Sequence, residues 1–379
     1  MKKAVIVLPT YNEKENIRIL IPEIFLVTHN ILNWDVSILV VDDGSPDGTA
    51  DEVRILQKKY KNLYLTTGKK QGLGNAYQRA FKYALENLKP DYIFEMDADR
   101  QHNPNLIPQF LKKIDEGADF VIGSRYIKGG GIPENWALYR KFFSYFGNWV
   151  LRFGFMKLRI TDWTSGYRAI NADFIEKTLP SYKKLNGYTF QVGILDRAIK
   201  NHLTIAEVPF YFEERGVGES KIKTLEFVIN NCLYILFNSS FVKFTIVGLT
   251  GAVVDFGISF ILIENQHVAI WIATAVSSEL SIIGNFLLNN SWSFAHKKVE
   301  GSSGGIVKAF VGFNTVSFGN IFIQTLLMHF VTEVFPVQYW YIYKVIIIGC
   351  IVVPYSYFMY NRFIWKNKQS SLANNTKKA

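Results

Sequence analysis

Cysteine is almost missing from this 379-residue chain: Cys232 and Cys350 are the two it has, both in apolar surroundings. Neither a disulfide framework nor a thiolate metal cage is therefore expected. No G-x-x-x-x-G-K-[ST] phosphate loop occurs, which argues against an ATPase. Gly72 and Gly74 in KKQGLGNA match G-x-G-x-x-G only in part, and they read as a helix start after a turn. At the N-terminus two lysines precede an apolar run of only Ala4 to Leu8, too short for a signal peptide. Before about residue 238 the sequence is mixed and globular, with no apolar run long enough to cross a bilayer.

After residue 238 come four long apolar stretches, roughly 241 to 263, 268 to 288, 307 to 330 and 340 to 360. At about 1.5 Å per residue each crosses a hydrocarbon core of roughly 30 Å, so four membrane-spanning helices are expected. Asn314, Asn320 and Gln324 interrupt the third, which taken singly also suits a buried helix; four in series with short polar loops do not. Lys297, Lys298 and Lys308 lie between the second and third stretches, and Arg362, Lys366 and Lys368 follow the fourth, whereas 264 to 267 and 331 to 339 contain neither Lys nor Arg. The positive-inside rule then puts both termini and the whole region before the spans in the cytoplasm. This segregation reconciles a mean hydropathy of +0.08 with a formal charge of +10. FVKFTIVG near 241 recurs loosely as IVKAFVGF near 306, and NNSWSF at 289 to 294 is echoed by YNRFIW at 360 to 365, the mark of a duplicated helical hairpin. Asp255 and Glu279 fall inside spans, where acids are costly. Hydrogen bonding between helices and a transport role both remain open for them.

In the first part, AVIVLPTYNEKENI and DVSILVVDDGSPDGT each run from an apolar strand through turn residues into a helix. Further strands are expected at 62 to 66, 91 to 97 and 118 to 123, separated by helix-length segments such as 71 to 87 and 104 to 116. Alternation of this kind predicts an α/β fold with a mostly parallel sheet, whose ligands bind beyond the carboxyl ends of the strands. Pro9, Asp43, Asp97 and Arg125 fall at those ends. In YIFEMDADRQHNP an apolar run ending at Met96 leads into Asp97 and Asp99, which point the same way as the chain leaves the sheet. Two carboxylates that close repel unless a cation lies between them. A divalent ion on oxygen ligands, bridging to a nucleotide diphosphate, would account for them; a solvated helix-start loop is the plainer alternative.

LPTYNEKENI, VVDDGSPDGT, MDADRQHNP, GSRYIKGG and GESK, in this order over about residues 1 to 235, resemble the soluble domain of dolichyl-phosphate mannose synthases and related polyprenyl-phosphate glycosyltransferases of family 2. The spans resemble the GtrA-like membrane family. The resemblance implies a Rossmann-like GT-A catalytic domain over 1–220 with an interfacial helix at about 140–156. A second interfacial helix or linker follows over 221–238, then a four-helix GtrA-like domain over 239–365 and a polar cytoplasmic tail over 366–379. It implies inverting transfer of a hexose, mannose from GDP-mannose first among them, to a polyprenyl phosphate. The nucleotide sugar would be bordered by Pro9, Tyr11, Glu13, Val41, Asp43, Asp97, Ala98, Asp99, Gln101, Arg215 and Lys221. A Mg2+ or Mn2+ ion would sit among Asp97, Asp99 and Gln101. The acceptor phosphate would meet Arg125, Arg140 and Ser144, and Asp97, Arg125, Arg140 and Arg215 are the candidate catalytic residues. That phosphate is anionic near neutral pH, so it needs cations rather than a general base. No nucleic-acid partner is expected.

Residues 140 to 156, RKFFSYFGNWVLRFGFM, combine three basic residues with seven aromatics, as a helix lying at a membrane surface should. Packing against the catalytic sheet is the structural alternative. In one place the sequence departs from the family: in GYTFQVGIL, Gly193 stands where many members carry a glutamate. Other readings are a UDP-glucose or other nucleotide-sugar donor, and a lipid-sugar carrier or scaffold with an inactive transferase domain. A processive polysaccharide synthase is disfavoured because its Q/R-x-x-R-W signature is absent.

Overall fold

The computed structural model describes residues 1–184, 189–213, 224–299 and 303–366. The chain divides into two compact units, Met1–Tyr234 and Ile235–Ala379.

The first unit is built on a seven-stranded sheet in the order β3-β2-β1-β4-β6-β5-β7. Its strands are β1 (Lys2–Thr10), β2 (Trp34–Asp42), β3 (Leu63–Thr67), β4 (Tyr92–Glu95), β5 (Phe120–Ser124), β6 (Arg168–Asn171) and β7 (Ile205–Pro209). The helices between them are α1 (Lys14–Thr28), α2 (Thr49–Gln57), α3 (Leu73–Tyr83), α4 (Ile107–Asp115), α5 (Leu138–Gly154), α6 (Ala172–Thr178) and α7 (Thr189–Lys200). Residues 4 to 8 of β1 and 38 to 42 of β2 are buried without interruption. This is why they read as continuous apolar runs: a parallel strand covered on both faces has no solvent side. From β1 the chain adds β2 and β3 on one side and β4 on the other, so the strand order reverses between β1 and β4. A doubly wound sheet opens its ligand crevice at such a reversal, beyond the carboxyl ends.

The expected α/β architecture is present, with one difference. β6 runs antiparallel to both of its neighbours, β4 and β5. Only four residues long and beginning with a fully buried arginine, it carries neither the alternation nor the apolar run that marks a strand in sequence. β7, IAEVP, is masked likewise by its glutamate and proline.

In the second unit four helical segments are long and apolar enough to cross a membrane: Ser240–Asn265, Trp271–Ser293, Gly304–Val334 and Ile342–Phe363. They comprise, after α8 (Thr224–Asn238), the helices α9 (Ser240–Phe260), α10 (Ile270–Leu288), α11 (Ser303–Val334), α12 (Trp340–Ile347) and α13 (Val353–Phe363). The last span is continuous through a π-turn, Ile348–Val352, just ahead of Pro354, which has no N–H to give the regular ladder. Polar contacts stitch α9 to α10: Ser277 Oγ donates to Asp255 Oδ1 at 2.6 Å, Ser278 Oγ to the same oxygen at 3.2 Å, and Ser281 Oγ to the Gly251 carbonyl at 2.7 Å. Asp255 thus hydrogen-bonds between helices, whereas Glu279 is exposed on the outside of the pair. The two echoed motifs pack on each other. Trp365 stacks on Phe294 at 4.4 Å, its Nε1 donates to Asn290 Oδ1, and Lys297 Nζ donates to Asn361 Oδ1, each at 3.0 Å.

Candidate active site

The exits of β1 and β2 are tied into one turn system. Asp42 accepts at Oδ1 from Thr10 Oγ1 (3.0 Å) and Ser45 Oγ (2.5 Å), and at Oδ2 from the backbone N–H of Gly44 (3.1 Å) and Ser45 (2.9 Å). Gly44 turns the chain at φ +74°, a conformation that costs a side chain dearly. Asn12 and Glu13 donate their N–H groups to Ser45 Oγ and Thr49 Oγ1. Of the paired acids in VVDDGS, Asp42 therefore builds the turn, and Asp43 faces a different partner, the guanidinium of Arg79 on α3. Lys70 Nζ lies 3.4 Å from the centre of the Tyr11 ring. Pro9, Tyr11, Glu13, Val41 and Asp43 consequently surround one end of the β1–β2 pair.

Beyond β4 the DADRQH segment folds back on itself. The Asp97 N–H donates to His102 Nδ1 at 2.9 Å and the Gln101 N–H to Asp99 Oδ1 at 3.1 Å, while Arg100 takes φ +65°. Because Nδ1 accepts, the His102 proton sits on Nε2, 3.7 Å from Asp97 Oδ2. Burial lowers the His102 pKa to about 4, so the ring is neutral at physiological pH. It also stacks on Tyr167 with centroids 4.9 Å apart. Ala98 is packed into the core, leaving its backbone to the site. Gln101 is buried, and its Nε2 donates to the Glu213 carbonyl at 2.8 Å.

The donor set fits a hard divalent cation. Asp97 keeps 35% of its side chain exposed at the strand end, and across from it Gly166 leaves space: a Cβ there would stand 3.7 and 3.8 Å from the two carboxylate oxygens. Among the described residues no cluster of three or more His, Cys, Asp or Glu converges. The described residues therefore do not cage a cation here, which leaves positions for oxygens from substrate and water, as Mg2+ and Mn2+ commonly take them.

Directly beneath lies an acid that the sequence hides. Glu95, inside the run ending at Met96, is fully buried opposite Arg168 in the β4–β6 pairing. Burial raises its pKa to about 7 against the pull of the Arg168 charge. Arg168 donates to the carbonyls of Gln191 (2.6 Å) and Trp163 (2.9 Å), joining α7 and the 161 to 166 loop to the sheet. Gly193 is buried in α7 and supplies no carboxylate.

Arg125, at the end of β5, grips Asp162: Nε donates to Oδ2 at 2.7 Å and Nη2 to Oδ1 at 2.8 Å, with a further bond from Nη2 to Thr164 Oγ1 at 2.7 Å. Asp162 is fully buried and also accepts from the N–H groups of Thr164 and Ser165. Burial pushes its carboxyl up, but Arg125 and these donors outweigh burial and hold the pKa below the ordinary value. Two of the three guanidinium nitrogens are thus spent on the loop. The next residue, Tyr126, shares a 2.6 Å hydrogen bond with Ser144 Oγ, linking β5 to α5. One turn earlier, the Arg140 guanidinium stacks 3.7 Å above the Trp136 ring. α5 buries Asn148 and Leu151 and exposes Tyr139, Phe142, Phe146, Trp149 and Phe153. Arg215, Lys221 and the GESK motif lie outside the described residues.

With this geometry the chain can be placed in a class. Residues 5–179 match glycosyl transferase family 2, and residues 243–365 match the GtrA/DPMS transmembrane domain. The chain belongs to the family 2 glycosyltransferases that carry a GtrA-like membrane domain; it is a membrane-bound glycosyltransferase with a GT-A-like catalytic sheet. Among relatives, the dolichol-phosphate mannosyltransferase of Pyrococcus furiosus is 37% identical over 301 residues, covering 77% of this chain and 81% of its own. The polyprenol monophosphomannose synthase of Mycolicibacterium smegmatis is 38% identical over 224 residues, covering 58% of this chain and 81% of its own.

Proposed function

We propose that this enzyme transfers mannose from GDP-mannose to a polyprenyl phosphate at the cytoplasmic face of the membrane. The observation that carries the reading is α5. A helix with an exposed aromatic face and flanking basic residues is joined through Ser144 and Tyr126 to the strand ends that hold the DADRQH turn. An acceptor with a charged head and a tail in the bilayer requires such a junction. Both relatives are named for mannosyl transfer to such lipids.

On this reading Pro9, Tyr11, Glu13, Val41 and Asp43 border the nucleotide, and Asp97, Asp99 and Gln101 hold a divalent ion, Mg2+ or Mn2+. That ion, when bound, supplies neutralisation of the leaving diphosphate. The acceptor phosphate oxygen attacks the anomeric carbon as its bond to the diphosphate breaks, with inversion and no proton to remove. Arg140 and Ser144 receive the acceptor phosphate, with Arg215 and Lys221 assigned to the donor by resemblance. Arg125 serves by holding Asp162 and the loop that faces Asp97. The basic residues around 297 and 362 support the cytoplasmic side for the chemistry by the positive-inside rule.

The test offers the purified protein a panel of labelled nucleotide sugars with polyprenyl phosphate and measures label extracted into organic solvent. Mannose from GDP-mannose should be transferred, EDTA should abolish the transfer, and Asp99→Asn should lower it at least about tenfold. Full activity in excess chelator would remove the metal. Transfer from UDP-glucose alone would replace the donor, and no transfer from any donor would leave the carrier reading.

A further inference from the structure

Within the DADRQH turn, His102 is assigned neither to the ion nor to a substrate. Arg100, at φ +65°, takes a backbone conformation that side chains rarely adopt and turns the chain back until the imidazole lies beside Asp97. Every side of that ring is then fixed. Its face stacks on Tyr167 with centroids 4.9 Å apart, and Phe210 and Phe212 close on it edge-on at 5.3 and 6.5 Å. Gly166 admits the Cε1 edge: a Cβ there would stand 3.7 Å from Cε1, and 3.7 and 3.8 Å from the two Asp97 carboxylate oxygens. Tyr167 also donates its hydroxyl to the Asn103 carbonyl at 3.2 Å, which ties down the residue that follows. Nδ1 accepts the Asp97 N–H at 2.9 Å, and an accepting ring nitrogen carries no proton, so the ring is neutral with its single N–H at Nε2. That N–H faces Oδ2 of the same aspartate at 3.7 Å. A phenylalanine would fill this aromatic stack without burying polar nitrogens. An imidazole that turns both of its nitrogens to one residue points to a task at that residue.

We propose that His102 is a positioning residue for the metal ion: Nδ1 fixes the backbone of Asp97 while the Nε2–H orients its carboxylate toward the cation. The choice of residue follows from charge. A Lys or Arg in this place would orient the carboxylate too, but its charge would compete with the cation for the same oxygens and repel it at close range. A neutral donor turns the carboxylate without cancelling it, and histidine offers a neutral donor and an acceptor on one rigid ring. The partner that orients a ligand side chain is commonly worth about tenfold to a hundredfold in metal affinity. The inference rests on the proposed divalent ion at Asp97 and Asp99, and adds the residue that holds the first of these ligands in place.

Asparagine and glutamine divide the two contacts between them. Asparagine places an oxygen where Nδ1 lies and can keep the Asp97 N–H; glutamine places an amide N–H where Nε2 lies and can keep the contact to Oδ2. Mn2+ is titrated into the purified full chain in the presence of GDP, and in a parallel arm UDP, with bound and free ion distinguished by electron paramagnetic resonance. The thermal midpoint of each variant is measured without metal. His102→Asn should melt near wild type and bind Mn2+ about tenfold to a hundredfold more weakly. His102→Gln should recover part of the Mn2+ affinity yet melt lower, because the Asp97 N–H has lost its acceptor. His102→Phe, which fills the stack and keeps neither contact, should bind Mn2+ no better than His102→Asn. A role in packing alone would move affinity and midpoint together, whereas the positioning role crosses the order of the Asn and Gln variants. Should His102→Gln fail to fold, His102→Asn decides by itself: a wild-type midpoint with weakened binding supports the proposal. The proposal is overturned if His102→Asn binds Mn2+ as tightly as wild type, or if affinity follows the midpoint across the variants. Wild type that binds no Mn2+ with either nucleotide overturns the ion at Asp97 and the inference with it, while Mn2+ binding that survives every His102 substitution overturns the inference alone.

Discussion

At the scale of single residues, the site is a matter of which charged group is already satisfied. Asp42 and Asp43 are neighbours of the same type, and hydrogen bonding alone separates turn builder from ligand candidate. Arg125 shows the same logic with a measurable consequence. It was expected at the acceptor phosphate, but its fork is closed on a fully buried aspartate. Removing one partner of a buried pair leaves the other charge uncompensated, which typically costs about 3 to 5 kcal/mol. Arg125→Ala should therefore lower the thermal midpoint of the catalytic unit markedly, and activity should fall along with folding. A variant that melts like wild type yet transfers poorly would return Arg125 to the phosphate. His102 has no sequence signal of its own, lying in the polar stretch RQHNP ahead of a helix. Only the folded-back loop brings its Nδ1 to the Asp97 N–H.

At the scale of elements, α5 carries the argument. Its position was legible because aromatic and basic residues alternate densely over 140 to 156, and the helix observed is Leu138–Gly154. Its outer face leaves Phe142 and Phe146 stacked on each other and exposed, which no soluble packing requires. Arg140 begins this face. If it meets the acceptor phosphate, Arg140→Ala should cut transfer about tenfold to a hundredfold, the worth of one charge-assisted hydrogen bond. GDP affinity should survive, since the residue is assigned to the lipid side. Arg140→Lys should restore only part of the rate, because an ammonium loses both the bidentate fork and much of the stacking on Trp136. Side-by-side measurement of nucleotide affinity and transfer rate checks this; lost GDP binding with unchanged affinity for the lipid would put Arg140 on the wrong substrate.

At the scale of the whole molecule, the core of the catalytic unit is its own sheet and helices, and the membrane unit closes on its own aromatic cluster around Phe294, Phe313, Tyr360 and Trp365. Each unit thus has a buried apolar cluster of its own. A chain ending at Asn238, which keeps α5 and α8, should bind GDP and retain transfer to a polyprenyl phosphate in detergent, with localisation and stability as the properties lost. A well-folded truncation that binds GDP and transfers nothing would make the spans part of the acceptor site.

The sequence by itself determined the α/β class, the four spans and the strand-end positions of Asp43, Asp97 and Arg125, because each depends on local pattern: uninterrupted apolar runs, helix-length spacing, turn residues after a strand. Tertiary structure alone decided the antiparallel insertion of β6, the burial of Glu95 against Arg168, the capture of Arg125 by Asp162 and the pairing of Arg79 with Asp43. The three charged pairs lie 36 to 73 residues apart, and a charged side chain looks the same in sequence whether it meets water, a ligand or a buried counter-charge. Which of the three it meets depends on the desolvation and geometry of its final neighbours, and these exist only once the chain has closed around them.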